Sequence, residues 1–228
     1  MSAQADSRLP AYALFAALLA CAGLPIYIHA PKFYVDEYGV SLTALGAVLF
    51  GLRLLDVVQD PLLGRLSEKL RNQRGIAVGI GCAVIALAMI GLFAVPPLTS
   101  PVLWFGIMLT LVFSAFSFLT ICFYAQGVAK ADRMAGQGHL RLARWRETGA
   151  LLGVCVASVA PVALGAMMGA PFTGFAIGFG VLAVAAAVAM QGEWVSVDVP
   201  AGTGFGTVLR DTLARRLLFI ALLNAAPV

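Results

Sequence analysis

The sequence predicts an all-α, polytopic membrane protein: six transmembrane helices followed by the start of a seventh. Three observations carry this. Of 228 residues, 61% are hydrophobic and 11% charged, with a mean hydropathy of +0.94, whereas soluble domains carry roughly 45–50% apolar and about 25% charged residues. The apolar residues fall into separate stretches of about 20–25, the length that crosses a bilayer. Lys and Arg are missing from alternate connections. Composition thus excludes a soluble enzyme, a nucleic-acid-binding module and a disordered tail.

Residues 1–10, MSAQADSRLP, are short and mixed in charge. No positive n-region leads to an A-x-A-like site, so the first apolar stretch reads as a retained helix. Span 1 is expected from about Ala11 to Tyr34, bent by Pro25 and Pro31, with Asp36-Glu37-Tyr38-Gly39 breaking the pattern. Span 2 covers about Leu42 to Leu66 and is the one stretch with several internal charges. Span 3 is expected from Ile76 to Val95, before Pro97, and span 4 from Val102 to Val128. Span 5 runs from Leu142 to Met168 and span 6 from Phe172 to Met190. The six-helix bundle is therefore expected over residues 11–190. A polar stretch occupies 191–216, and Leu217 to Val228 looks like the start of a seventh helix. That last run holds about 12 residues, too few to cross about 30 Å of hydrocarbon at 1.5 Å per residue.

Connections 36–41, 96–100 and 169–171 contain no Lys or Arg. Lys69, Arg71 and Arg74 follow span 2, and Lys130, Arg133 and Arg141 follow span 4, with Arg65 and Arg144 at the borders. Arg210, Arg215 and Arg216 follow span 6. By the positive-inside rule the N-terminus and every basic connection are cytoplasmic. These charges read as orientation signals and headgroup contacts, with the lipid bilayer as partner and no nucleic acid. Cys21, Cys82, Cys122 and Cys155 lie in apolar stretches without C-x-x-C spacing, so they read as small apolar filler at helix contacts. His29 and His139 are isolated. Gly-x-x-x-Gly at Gly165–Gly169 and Gly174–Gly178 reads as close helix packing.

Span 2 contains GAVLFGLRLLDVVQDPLLGRLSEK. At 100° per residue, Arg53, Asp56 and Asp60 fall within about 60° of one another. One narrow stripe of a membrane helix therefore holds one guanidinium and two carboxylates. An unpaired charge at the bilayer centre costs about 2.5–3.5 kcal/mol. Arg53 and Asp56 can offset part of this as an i,i+3 pair, which leaves one surplus carboxylate. It must bind a cation, take up a proton or find a cation on another helix. Oxygen ligands at i,i+4 suit Na⁺, and the same pair could hold a proton. The structural alternative is a salt-bridge network within the bundle, or an inner gate at Asp60. An enzyme is not supported: membrane phosphotransferases of the CDP-alcohol type use D-x-x-D-G-x-x-A-R, whereas this chain has D-x-x-x-D-P-x-x-G-R and no second aspartate pair.

The stretch Tyr38-Gly39-Val40-Ser41 through Arg53-x-x-Asp56-x-x-x-Asp60-Pro61-x-x-Gly64 resembles the glycoside–pentoside–hexuronide:cation symporter family, the melibiose permease-like branch of the major facilitator superfamily. Leu140 to Gly153, with Arg141, Arg144, Trp145 and Arg146, is similar to the fifth helix of that family. The resemblance implies the N-terminal half of a major facilitator fold: a cytoplasmic interdomain linker at 191–216, a truncated seventh helix at 217–228 and a missing C-terminal six-helix half. It implies cation-coupled symport of a small solute, with a sugar or glycoside in the chemistry it allows, in a bacterial inner (plasma) membrane. Asp56, Asp60 and Thr120 would form the cation site, for Na⁺ or H⁺, and no cofactor is expected. Arg53, Tyr124 and Arg146 would line the substrate cavity, although Arg146 could equally snorkel to the interface beside Trp145. Thr120 stands where sugar-transporting members carry a carboxylate, a weaker ligand that favours H⁺ over Na⁺. Ala20 stands where the best-known member has a sugar-binding aspartate. Substrate identity is therefore not carried over. Two other readings stay open: a major-facilitator porter for organic acids or drugs, and a non-transporting scaffold subunit.

Overall fold

The computed structural model describes residues 8–134, 136–194 and 210–225. Among them, six helices are long and apolar enough to cross a membrane. Span 1 is Leu9–Tyr38, span 2 Leu42–Lys69 and span 3 Arg71–Phe93. Span 4 is Pro101–Asp132, span 5 Gly138–Met168 and span 6 Pro171–Met190. Most helices outrun their apolar stretches because the residues that start and stop them are polar ones in the connections. Ser41 starts span 2 by accepting the Ala44 amide on its hydroxyl at 3.2 Å.

Span 1 departs most from expectation. The bend predicted at Pro25 is a π-helical segment, Pro25–His29, between the α-helical parts Leu9–Leu24 and Ala30–Tyr38. A proline lacks the amide that would close the preceding turn, and a wider turn accommodates the defect. The break expected at Asp36 does not occur. Lys32 pairs with Asp36 one turn on at 2.8 Å, and the helix runs to Tyr38. It stops at Gly39, whose φ of 63° is left-handed and whose amide returns to the Val35 carbonyl at 3.1 Å.

The core lies between spans 1, 3, 4 and 6, where Tyr12, Phe15, Tyr34, Ile85, Met89, Phe105 and Phe123 are fully buried. Lipid tails are as apolar as these side chains, so close packing and not exclusion from water holds the helices together. Span 1 packs most extensively against span 5. The residues that permit this are Gly149 and Gly153: a Cβ on either would run into the backbone of Ala13 or Ala17. Of the Gly-x-x-x-Gly residues marked in the sequence, Gly165 does pack closely, since a Cβ there would meet Pro171 at 3.2 Å, but two others serve otherwise. Gly169 is a left-handed helix cap, φ 68°, and a Cβ on Gly178 would meet open space. Replacing Gly149 by Leu is expected to destabilise the bundle by at least about 1–3 kcal/mol, since backbone cannot yield as a side chain can; a thermal melt of the purified variant checks this. Cys21 serves the same seam, its thiol donating to the Gly153 carbonyl at 3.1 Å. Cys155 is exposed and does not fill a contact.

The polar stretch expected from residue 191 does not begin as a free connection. Glu193 is 6% exposed and meets Lys130 at 2.7 Å, where the lysine side chain is 12% exposed. Arg8 approaches the same carboxylate at 3.7 Å, and the Tyr12 hydroxyl donates to it at 3.4 Å. Gln126 donates its amide to the Glu193 carbonyl and accepts from Arg74 at 3.4 Å. Trp194 sets its ring edge-on to Phe15, 5.6 Å between centroids. This latch joins the ends of spans 1, 3 and 4 to the turn that follows span 6.

Spans 2 and 5 are the least covered. Of their apolar windows, 11% and 17% are buried, against 56% for spans 1 and 3. A second unit, residues 197–228, contains helix Thr212–Ala225. It begins at Thr212, not at Leu217, because the Asp211 carboxylate accepts the Leu213 amide at 2.8 Å. The rest of the expected linker, 195–209, lies outside the described residues, as do 1–7 and 226–228.

Candidate functional site

The site is built on the exposed face of span 2 where span 4 crosses it. Asp56 is half-buried on that face, and one of its oxygens lies 3.9 Å from the Arg53 guanidinium one turn earlier. The other accepts the Gln59 side-chain amide at 3.3 Å. Gln59 in turn accepts from the Ser114 hydroxyl of span 4 at 2.9 Å. The Asp56 carboxylate is thus held between a cation and an amide, with Ser114 fixing the amide. Arg53 lies over the Tyr27 ring, 5.1 Å from its centroid. Tyr27 belongs to the π-helical segment of span 1 and packs edge-on against Phe113.

Asp60 lies one turn beyond Asp56 and makes no ion pair or hydrogen bond among the described residues. Pro61 follows it, so the Val57 carbonyl lacks its usual amide partner. A hollow of about 330 Å³ is lined by Tyr27, Arg53, Asp56, Asp60, Ser117 and Thr120, among others. Counting Arg53 against the two aspartates leaves this hollow with a formal charge of −1. The Thr120 hydroxyl oxygen is buried and has no partner among the described residues.

Phe116 and Thr120 also line a second hollow of about 220 Å³, bounded by Ala20 and Gly23 of span 1 and by Tyr124, Arg146 and Glu147. Here the Arg146 guanidinium lies 4.6 Å from the Tyr124 ring centroid. It donates two hydrogen bonds to a single oxygen of Glu147, at 3.0 and 2.8 Å.

All six residues singled out in the sequence therefore line one of two adjoining hollows. Arg53, Asp56 and Asp60 line the first, Tyr124 and Arg146 the second, and Thr120 both. Arg146 lines a hollow and pairs with its neighbour. Tyr27, Gln59, Ser114 and Glu147 were not anticipated. Gln59 was legible, since it stands three residues after Asp56 on the same helical face. Ser114 and Tyr27 come from other helices and carry no signal in sequence spacing.

Two carboxylates and an unbonded hydroxyl line this hollow, an oxygen set suited to a hard monovalent cation or a proton. Two adjoining hollows on the open side of a membrane bundle suit contact with a solute. A model of the protein family described as MFS/sugar transport protein matches residues 10–228. The chain belongs to this family. No curated protein and no solved structure matches it. As a member, the chain is an integral, multi-pass membrane protein and a major facilitator transporter. Membership also gives the intramembrane charges a context: in transporters, ionisable side chains within spans mark ion and substrate paths.

Proposed function

We propose that this MFS/sugar transport protein is a cation-coupled symporter of a small solute, a sugar or glycoside, working by alternating access. The observation that supports it most is the hollow with one surplus carboxylate, which shares Thr120 and Phe116 with a second, mostly apolar hollow that carries Tyr124, Arg146 and Glu147. A cation held by Asp56, Asp60 and the Thr120 hydroxyl neutralises the first hollow. With that charge gone, the second hollow takes the solute, and the two leave together when the bundle rocks. Na⁺ and H⁺ both fit this donor set. A salt-bridge network within the bundle fits less well, because Asp60 has no cationic partner among the described residues.

A second six-helix bundle is part of this reading. Arg53, Asp60 and Glu147 stand on the two least covered spans, and charged groups do not face hydrocarbon without cost. Another bundle facing spans 2 and 5 would enclose them and complete the cavity. Charge asymmetry places the N-terminus and the basic connections on the cytoplasmic side, and the resemblance supports a bacterial inner membrane.

Gln59→Leu tests the cation site without touching a carboxylate. It removes the amide that holds Asp56 and leaves Ser114 unbonded. Loss of an outer group that orients a ligand typically costs about 10–100-fold in ion affinity. Half-saturation for Na⁺, or the apparent proton affinity, in solute uptake is expected to weaken by that factor. Unchanged half-saturation with normal expression would remove Asp56 from the ion site.

A further inference from the structure

We propose that Glu147 is a specificity-determining residue of the second hollow, selecting an uncharged polyhydroxylated solute and rejecting acidic ones. The proposal rests on the symport reading and names the class of solute for that same cavity.

An arginine alone in a membrane cavity would be an anion site. Arg146 is not alone: Glu147 takes two of its N–H groups on one oxygen, at 3.0 and 2.8 Å. The side chain of Arg146 is largely covered, while that of Glu147 is exposed. A solute carboxylate reaching for Arg146 must displace Glu147 or lie against it, and like charges at such range repel. The second Glu147 oxygen makes no bond among the described residues. A hydroxyl both donates and accepts, so one can donate to that oxygen while its neighbour accepts from Arg146. Ala16, Ala20 and Gly23 leave room on the opposite wall, and a Cβ on Gly23 would meet nothing within 4 Å.

The charge count agrees. Arg53 and Arg146 face Asp56, Asp60 and Glu147 across the two hollows, a formal −1. One monovalent cation brings this to zero, and only an uncharged solute keeps it there. Acidic solutes would restore a net negative charge to a cavity of low dielectric.

The test uses the purified full-length protein and matched pairs of probes: methyl glucoside with methyl glucuronide, and methyl galactoside with methyl galacturonide. Binding is measured by calorimetry at saturating Na⁺ and, separately, at low pH without Na⁺. A neutral member is expected to bind at least about tenfold more tightly than its acid partner. Glu147→Gln is expected to shrink that ratio by about tenfold through a gain for the acid, and Glu147→Asp to keep the neutral preference. Retained binding of the neutral glycoside by Glu147→Gln shows that the variant is folded. Tighter binding of the acids by the wild type would overturn the proposal, as would no binding of any probe, or a ratio unchanged in Glu147→Gln. Neutral preference without cation-driven uptake would instead sink the symport reading and leave the role of Glu147 standing.

Discussion

Asp60→Asn is expected to abolish cation-driven solute uptake while the protein still folds and inserts. Asp60 is the surplus charge of the first hollow, with no ion pair or hydrogen bond among the described residues. An amide of the same shape cannot carry the charge that attracts Na⁺ or take up a proton. Accumulation against a gradient should therefore fall to background, a loss of about 50-fold for one charge driven by 100 mV, about 2.3 kcal/mol. Stability should not fall, because the change removes an uncompensated charge that costs about 2.5–3.5 kcal/mol in a membrane interior. Asp56→Asn differs in this respect. It also ends uptake, but leaves Arg53 without its 3.9 Å partner, so its thermal midpoint should drop below that of Asp60→Asn. Uptake assays and melts on both variants separate the roles. Normal gradient-driven uptake by Asp60→Asn would contradict the assignment.

Lys130→Met is expected to have the largest effect on stability. It leaves the buried Glu193 carboxylate without its 2.7 Å cation, facing Arg8 at 3.7 Å and the Tyr12 hydroxyl. Breaking a buried pair by removing one partner typically costs about 3–5 kcal/mol, and Arg8 at 3.7 Å offsets part of that cost here. Glu193→Gln should cost less: its amide oxygen can still accept from Tyr12 or Lys130, and the Gln126 bond goes to the backbone carbonyl. A thermal melt in detergent checks the order, with Lys130→Met melting lowest. Wild-type midpoints in both variants would show that the pair contributes nothing to stability.

The residues that carry the proposed function were legible because they break the rule of their surroundings. Charges at Arg53, Asp56 and Asp60 stand out in an apolar helix, and helical periodicity puts them on one face. Arg146 and Tyr124 were marked by resemblance, and the folded bundle sets the guanidinium over the ring. The Glu193 latch was hidden. A lone Glu in a polar stretch has nothing to announce burial, and its partners Arg8, Tyr12 and Lys130 are remote in sequence. The same holds for Gly149 and Gly153, whose importance lies in the Ala13 and Ala17 backbone opposite them. The continuation of span 1 through Asp36 was misread because polarity was taken as a break, although Lys32 four residues earlier supplies the i,i+4 partner. Hydropathy alone places several helix ends too far inward, because spans 1, 2, 4 and 5 continue into polar residues such as Asp36, Lys69, Asp132 and His139.

The central claim, that solute and cation move together, is tested most directly by ion flux induced by solute. Full-length protein is reconstituted into proteoliposomes with no ion gradient, and a neutral glycoside that it binds is added outside. The account predicts that the solute drives Na⁺ or H⁺ inward, seen as a change in internal Na⁺ or pH, and that Asp60→Asn proteoliposomes give none. Solute entry with no movement of either ion would contradict it.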